Sequence, residues 1–213
     1  AEDDLKVIYS DISSRDNHVS SLAVMCPGMR ILRQPAWECT ATYILATNAN
    51  VKRIGCMIDS VCRELGRDIG KGRASFPSPA DILEGIDRID SCRLGYRKDR
   101  LIMLAQIVED GILDPEALKE MDYPECRRTL LGVTGIGPKV ADCVCLFAYG
   151  HLEAFPVDAR ISRSLEKVYG VRGGYDRLAA FGRERFGSYA GYAQELLYHS
   201  DIIMRSRSQA HSG

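Results

Sequence analysis

The chain has 213 residues, 46% hydrophobic and 27% charged, with 28 Lys and Arg against 29 Asp and Glu for a net charge of −1. That length can bury one or two substantial cores, and the composition is ordinary for a folded globular protein. Its eight cysteines form no Cys-x-x-Cys pair and its four histidines do not cluster, which argues against a zinc or iron–sulfur centre, and no apolar run is long enough to span a membrane.

Apolar residues recur at three- and four-residue spacing almost throughout, so the expected fold class is all-α. Val51, Ile54, Ile58, Val61 and Leu65 mark one helix, which Gly66 ends. Asp68 to Pro79, rich in Gly and Ser, is the longest loop candidate, and Gly170 to Gly174 is the next. Ser78-Pro79 forms a cap and first-turn proline ahead of Ile82 and Leu83, and Asp114-Pro115 has the same form ahead of Leu118. Leu101, Leu104, Ile107 and Val108 mark a further helix, as do Val144, Leu146 and Phe147. Several cysteines fall at apolar positions of these patterns, as buried reduced thiols in a reducing compartment would.

Near neutrality is unusual for a protein that binds duplex DNA, yet the charges are unevenly spread. Cations gather at Lys52-Arg53, Arg93, Arg97-Lys98, Arg100, Arg127-Arg128, Arg160 and Arg163, while acids collect at Glu2-Asp3-Asp4 and from Asp81 to Asp90. A basic face and a set of solvated helix faces both fit that distribution.

The chemistry concentrates in Val133-Thr134-Gly135-Ile136-Gly137-Pro138-Lys139-Val140-Ala141-Asp142 and the later Phe155-Pro156-Val157-Asp158. Gly135 and Gly137 let the backbone turn with positive φ and approach a partner closely. Pro138 suits the first position of a helix, whose open N–H groups can hold an anion such as a DNA phosphate. A helix-hairpin-helix follows, although Gly-x-Gly before a helix also occurs in plain turns. Lys139 lies at the second helical position beside the hairpin, and its amine attacks a sugar only when desolvation or nearby cations remove its proton. Asp158 precedes Ile161, Leu165 and Val168 and fits an N-cap. A carboxylate there could also stabilise positive charge at an anomeric carbon as a base leaves.

Together these residues resemble the helix-hairpin-helix DNA glycosylases, and among them the 8-oxoguanine DNA glycosylases. Leu32-Arg33-Gln34-Pro35, Glu38-Cys39 and Thr47 to Ile54 resemble the family's "LLRQ…EC…SSNNNIARI", and Leu94-Gly95-Tyr96-Arg97 its "LGYR". Ala190 to Tyr198, with the sequence AGYAQELLY, resembles its "AGWAQAVLF". The resemblance implies a two-lobed all-α fold with a cleft between the lobes. One lobe would be a helical barrel over 34–137 ending in the hairpin, and the other would combine 1–33 with 138–213.

It further implies a bifunctional DNA glycosylase and AP lyase that flips 8-oxoguanine out from opposite cytosine. Lys139 would be the Schiff-base nucleophile, and Asp158 the carboxylate that supports base departure and later proton transfers. Cys143 and Tyr198 would face the flipped purine, with Phe147 also in base recognition, and Gln194 would read its Watson–Crick edge. Asn48, Arg53 and Arg97 would hold the orphaned cytosine while Tyr96 wedges into the stack. Gly135, Gly137, Val140 and Arg160 would contact phosphate. Without the resemblance, Cys143 and Tyr198 fit an ordinary core.

Arg160 stands where the family carries histidine, and Tyr198 where it carries phenylalanine. The matching region begins at the family's second domain, so an amino-terminal β domain and its contact to the lesion are expected to be missing. No resident cofactor or metal is expected, although hairpin carbonyls could take a monovalent cation. The partner would be duplex DNA bearing a damaged base, bound by a monomer with no membrane attachment. It would act inside the cell, in the cytoplasm and nucleoid of a prokaryote or the nucleus of a eukaryote. A glycosylase for another damaged base and a non-catalytic hairpin module that binds any duplex are the alternatives.

Overall fold

The computed structural model describes the backbone of residues 3–210 and the side chains of residues 3–200. The chain divides into two compact units, one formed by residues up to Arg33 together with those from Cys145 onward, the other by Gln34–Val144. The lobes implied by the resemblance divide after 33 and after 137, and the compact units divide after Arg33 and after Val144. Lys139 and Cys143 therefore belong with the hairpin that precedes them.

The Gln34–Val144 unit carries α3 (Ala36–Leu45), α4 (Val51–Leu65), α5 (Pro79–Glu84), α6 (Arg97–Glu109), α7 (Tyr123–Leu131) and α8 (Pro138–Val144). Side-chain caps fix several of their starts. Asn50 accepts from the Arg53 N–H at 2.9 Å, and Asp122 from that of Glu125 at 2.9 Å. Ser78 and Asp81 form a reciprocal capping box at α5. The Asp114-Pro115 start yields a short 3-10 turn over Ala117–Glu120 rather than an α-helix, with Leu118 buried. On α4 the core face is Met57, Val61 and Leu65, while Val51 in the first turn is exposed.

Two expectations of the all-α pattern need local correction. The Asp68–Pro79 loop candidate contains a short antiparallel pair, β1 (Asp68–Gly70) with β2 (Arg73–Ala74). These strands are too short and too exposed for an alternating apolar pattern to register. The helix after the hairpin also widens into a π-helical turn over Cys145–Tyr149, at the residue where the chain passes from one unit to the other. Such turns occur disproportionately at functional sites.

The other unit holds α1 (Leu5–Arg15), α2 (Asn17–Met25), α9 (Ala159–Tyr169), α10 (Tyr175–Phe186) and α11 (Ala190–Ala210). Ile12, Leu22, Phe155, Phe186 and Tyr192 are among its fully buried side chains. Phe155 stacks on Phe186 at 5.8 Å. Asp16 ties three helices together by accepting from Val19 N–H at 2.8 Å, Tyr169 OH at 3.1 Å and Arg185 Nε at 2.7 Å. Burial opposes ionisation of Asp16, but these hydrogen bonds outweigh it and hold the carboxyl below its ordinary value. Among the described residues no helix is long and apolar enough to cross a membrane.

Candidate active site

In the Gln34–Val144 unit the hairpin between α7 and α8 closes with a hydrogen bond from Ile136 N–H to Val133 C=O at 3.0 Å. Gly135 has φ 93°, as the sequence demands. Gly137 does not: its φ is ordinary, and an added Cβ would meet nothing within 4 Å. What a glycine provides at 137 is therefore open space over the backbone, where a partner can approach. The first turn of α8 is closed by Ala141 N–H donating to Gly137 C=O at 2.9 Å, so the N–H groups of Lys139 and Val140 precede the helical ladder.

Lys139 is exposed on this first turn and makes no ion pair among the described residues. One turn further, the fully buried Asp142 accepts from Arg127 Nε at 2.7 Å and from Tyr123 OH at 2.8 Å, both on α7. This cluster fastens the two hairpin helices to each other just behind the lysine. Cys143 is buried, and α8 packs on α3. Burial, followed by the neighbouring Cys143, pushes the Cys39 thiol well above its ordinary value.

A second cluster of the same unit joins the α3–α4 loop to the start of α6. Asn48 occupies the left-handed region at φ 50°, and its Nδ2 donates to Tyr96 OH at 3.3 Å. Tyr96 is 47% exposed and donates to Thr47 C=O at 3.1 Å. The guanidinium groups of Arg97 and Arg100 lie over its ring at 4.5 Å and 4.7 Å. Arg100 also passes its aliphatic stem over Gly135, where an added Cβ would sit 2.9 Å from Cδ, so one side chain spans from Tyr96 to the hairpin.

Arg97, expected to hold the orphaned cytosine, is tied to its own loop in this structure. It is buried, and its donors are engaged with the Thr47 carbonyl (Nε, 3.0 Å), the Asn48 carbonyl (Nη2, 3.2 Å) and the Leu94 carbonyl (Nη1, 3.4 Å). It holds the Asn48 loop in shape in this structure. Arg53 is exposed at the start of α4, with its Nη2 donating to the Arg93 carbonyl.

In the other unit Asp158 caps α9. Its Oδ1 accepts from Arg160 N–H at 2.9 Å and Ile161 N–H at 2.8 Å, and Oδ2 takes no hydrogen bond among the described residues. Cap and free carboxylate oxygen thus coexist in one side chain. Arg160 reaches α11, where Nη1 donates to Tyr198 C=O at 3.3 Å and the guanidinium covers the Tyr198 ring at 4.6 Å. The same arginine lines a groove of about 310 Å³ with His18, Arg163, Lys167 and Ser200. Gln194 is buried, and its Oε1 has no hydrogen-bond partner among the described residues. A buried acceptor left open costs about 1–3 kcal/mol. A guest donor would remove that penalty. Phe147 is half-buried in the π turn.

Glu195, the residue after Gln194, escapes sequence analysis. Burial, and then the charge of Asp158, push its carboxyl up to about 7. The signal was in the motif, where "AGWAQAVLF" has alanine and this chain has glutamate.

No family model matches the chain, but its relatives are clear. The fold is shared with the helix-hairpin-helix DNA glycosylases, among them the 8-oxoguanine glycosylase/lyase of Clostridium acetobutylicum solved with double-stranded DNA containing cytosine opposite 8-oxoguanine. The TM-score to that structure is 0.86 at 28% identity, covering 95% of this chain and 71% of the other. In sequence, a probable N-glycosylase/DNA lyase of Methanothermobacter thermautotrophicus is 30% identical over 92% of this chain and 71% of its own length. The N-glycosylase/DNA lyase of Saccharomyces cerevisiae is 29% identical over 82% of this chain and 57% of its own length. The chain belongs to the N-glycosylase/DNA lyase family.

Proposed function

We propose that this chain excises 8-oxoguanine from opposite cytosine in duplex DNA and cleaves the resulting abasic site, acting in base-excision repair wherever the cell keeps its DNA. The observation that carries the proposal is the pair of reactive groups left open by the fold. Lys139 stands exposed and without an ion pair on the first turn after the hairpin, and Asp158 keeps Oδ2 free while Oδ1 caps α9. Lys139 Nζ would attack C1′ of the flipped nucleotide to form a Schiff base, and the Asp158 carboxylate would stabilise the positive charge that develops as the base departs.

The remaining residues supply recognition. The open Oε1 of Gln194 suits a donor on the edge of a purine. Asn48, Arg53 and Tyr96 would receive the orphaned cytosine and fill the vacated stack, while Arg97 keeps their loop in register. The hairpin backbone at Gly135, Gly137 and Val140, together with Arg160, would hold phosphate.

Borohydride trapping tests this reading. Wild type and Lys139→Gln are incubated with a duplex carrying 8-oxoguanine opposite cytosine, and with one carrying a preformed abasic site. A covalent adduct on both duplexes that vanishes with Lys139→Gln is the expected result. Full trapping by the variant would remove Lys139 from the mechanism, and trapping on the abasic duplex alone would remove 8-oxoguanine as the substrate. Asp158→Asn should slow base release by about 10²-fold or more; an unchanged rate would reduce Asp158 to a helix cap.

A further inference from the structure

Along α9 runs a groove of which the proposed chemistry uses only Arg160. Three cations of that helix, Arg160, Arg163 and Lys167, line about 310 Å³ together with His18 of α2, Ser164 and Ser200, and no carboxylate residue lines it. At about 30 Å³ per water the space equals about ten waters, room for a phosphate group and its sugar. All of these residues belong to one compact unit.

The charge pattern of α9 works against the helix itself. Arg160 stands in the first turn, where the positive end of the helix dipole repels a cation, and beyond the cap Asp158 no acid stands in that turn. Arg163 follows three residues later and Lys167 four after that, the spacings at which like charges face and repel one another. Lys167 alone stands where the dipole favours it, in the last turn. The helix's own acid, Glu166, pairs with Arg172 at 2.5 Å and leaves the row of cations uncompensated. Arg163 and Lys167 are exposed, and among the described residues neither side chain has an ion-pair or hydrogen-bond partner.

We propose that this groove holds the phosphodiester backbone of the DNA strand that Arg160 engages, with Arg163 and Lys167 each taking one further phosphate. The proposal rests on the function assigned above. Because the three cations stand on one face of one helix, they form a row about 10.5 Å long. Over that length one strand of duplex DNA presents about three phosphates, at about 3.4 Å each. A row of cations suits a polymer of phosphates, whereas a single small anion is met by side chains that converge from several elements. The hydroxyls of Ser164 and Ser200 and the imidazole of His18 supply hydrogen bonds to the phosphate oxygens. On a chain of net charge −1, a local concentration of cations of this kind has to carry the attraction to DNA.

The test is the salt dependence of binding to an undamaged duplex of about 20 base pairs, followed by fluorescence anisotropy from about 50 to about 200 mM KCl. Arg163→Gln and Lys167→Gln should each reduce the steepness of log K against log salt by about 0.9, and the double variant by about 1.8. Arg163→Lys combined with Lys167→Arg keeps both charges and should keep the slope. Arg15→Gln, which removes a cation of the same unit outside the groove, should leave it unchanged as well. Neutral methylphosphonates placed one at a time along the duplex should weaken the wild type at two positions where the double variant is indifferent. An unchanged slope in the double variant, or an equal change with Arg15→Gln, would overturn the groove. A rise in thermal midpoint on adding AMP that the double variant loses, with no change of slope, would also overturn it, by giving the groove to a small phosphorylated ligand. Excision of 8-oxoguanine by a double variant of wild-type slope would remove the groove alone, whereas the expected slopes in a chain that releases no 8-oxoguanine would refute the lesion assignment and support the groove.

Discussion

Replacing Arg127 by methionine removes the cation that neutralises a carboxylate with no solvent exposure. Arg127 Nε lies 2.7 Å from Asp142 Oδ1, and the two side chains are 21% and 0% exposed. Breaking such a pair from one side costs about 3–5 kcal/mol, because the remaining charge stays buried. Tyr123 OH still donates to the same oxygen at 2.8 Å, and Arg127 retains some contact with water, so about 3 kcal/mol is the expected loss. Asp142→Asn combined with Arg127→Met removes both charges and should recover at least about 1 kcal/mol of the summed single losses. Urea unfolding of the wild type, both single variants and the double variant measures this directly. Trapping on saturating abasic DNA reports whether Lys139, one turn before Asp142 on α8, has moved. A single-variant loss below about 1 kcal/mol, which is what an exposed pair gives, or strictly additive losses would refute the view that this pair fastens α7 to α8.

Stability should also depend on pH through Glu195. With the folded carboxyl raised to about 7 from 4.5, the unfolded chain releases its proton first as pH rises, so stability falls between about pH 4.5 and about pH 7. Glu195→Gln should remove that decline, a relative gain of up to about 3 kcal/mol at about pH 8 over about pH 4 in urea unfolding, and equal effects at both pH values would contradict it. Gly182→Ala places a Cβ 2.3 Å from Cδ1 of the buried Phe155. A loss of about 1–3 kcal/mol is expected on thermal unfolding, and a neutral result would mean that the Phe155–Phe186 stack yields freely. Asn48→Ala should be less stable than Asn48→Gly by about 1 kcal/mol, because alanine resists the φ of 50°. If the two variants are equally stable, that backbone conformation is not imposed by the fold.

How much of this could be read from the sequence depends on what each feature needs. Ser78-Pro79 and Asp158 were legible because a cap is a local contract between one side chain and the next few N–H groups. Gly135 was legible for the same reason, since positive φ is a property of one residue. The Asp68–Ala74 hairpin was not, because three exposed residues paired with two leave no burial pattern. The π turn at Cys145–Tyr149 was also hidden, as Val144 and Leu146 are apolar in either helical form. At Asp114-Pro115 the cap formed, with Asp114 Oδ1 accepting from Glu116 N–H at 2.9 Å, but only a short 3-10 turn followed. A start signal does not set length.

The site residues divide along a similar line. A sequence gives the type of a polar group, whereas its role depends on which of its bonds are already made. Arg97 and Arg53 look equally suited to a base edge, yet Arg97 is buried against the Thr47 and Asn48 carbonyls, while Arg53 stays at the surface. Asp158 and Asp142 are both carboxylates near the motif. Asp142 is fully buried between Tyr123 and Arg127, whereas Asp158 leaves Oδ2 open. Gln194 would pass for core but for the Oε1 that nothing satisfies. Glu195 would pass for surface but for its burial and its single histidine neighbour. Where folding satisfies a polar group the residue is structural. Where folding leaves one sheltered and open, the balance closes only when a substrate supplies the missing partner.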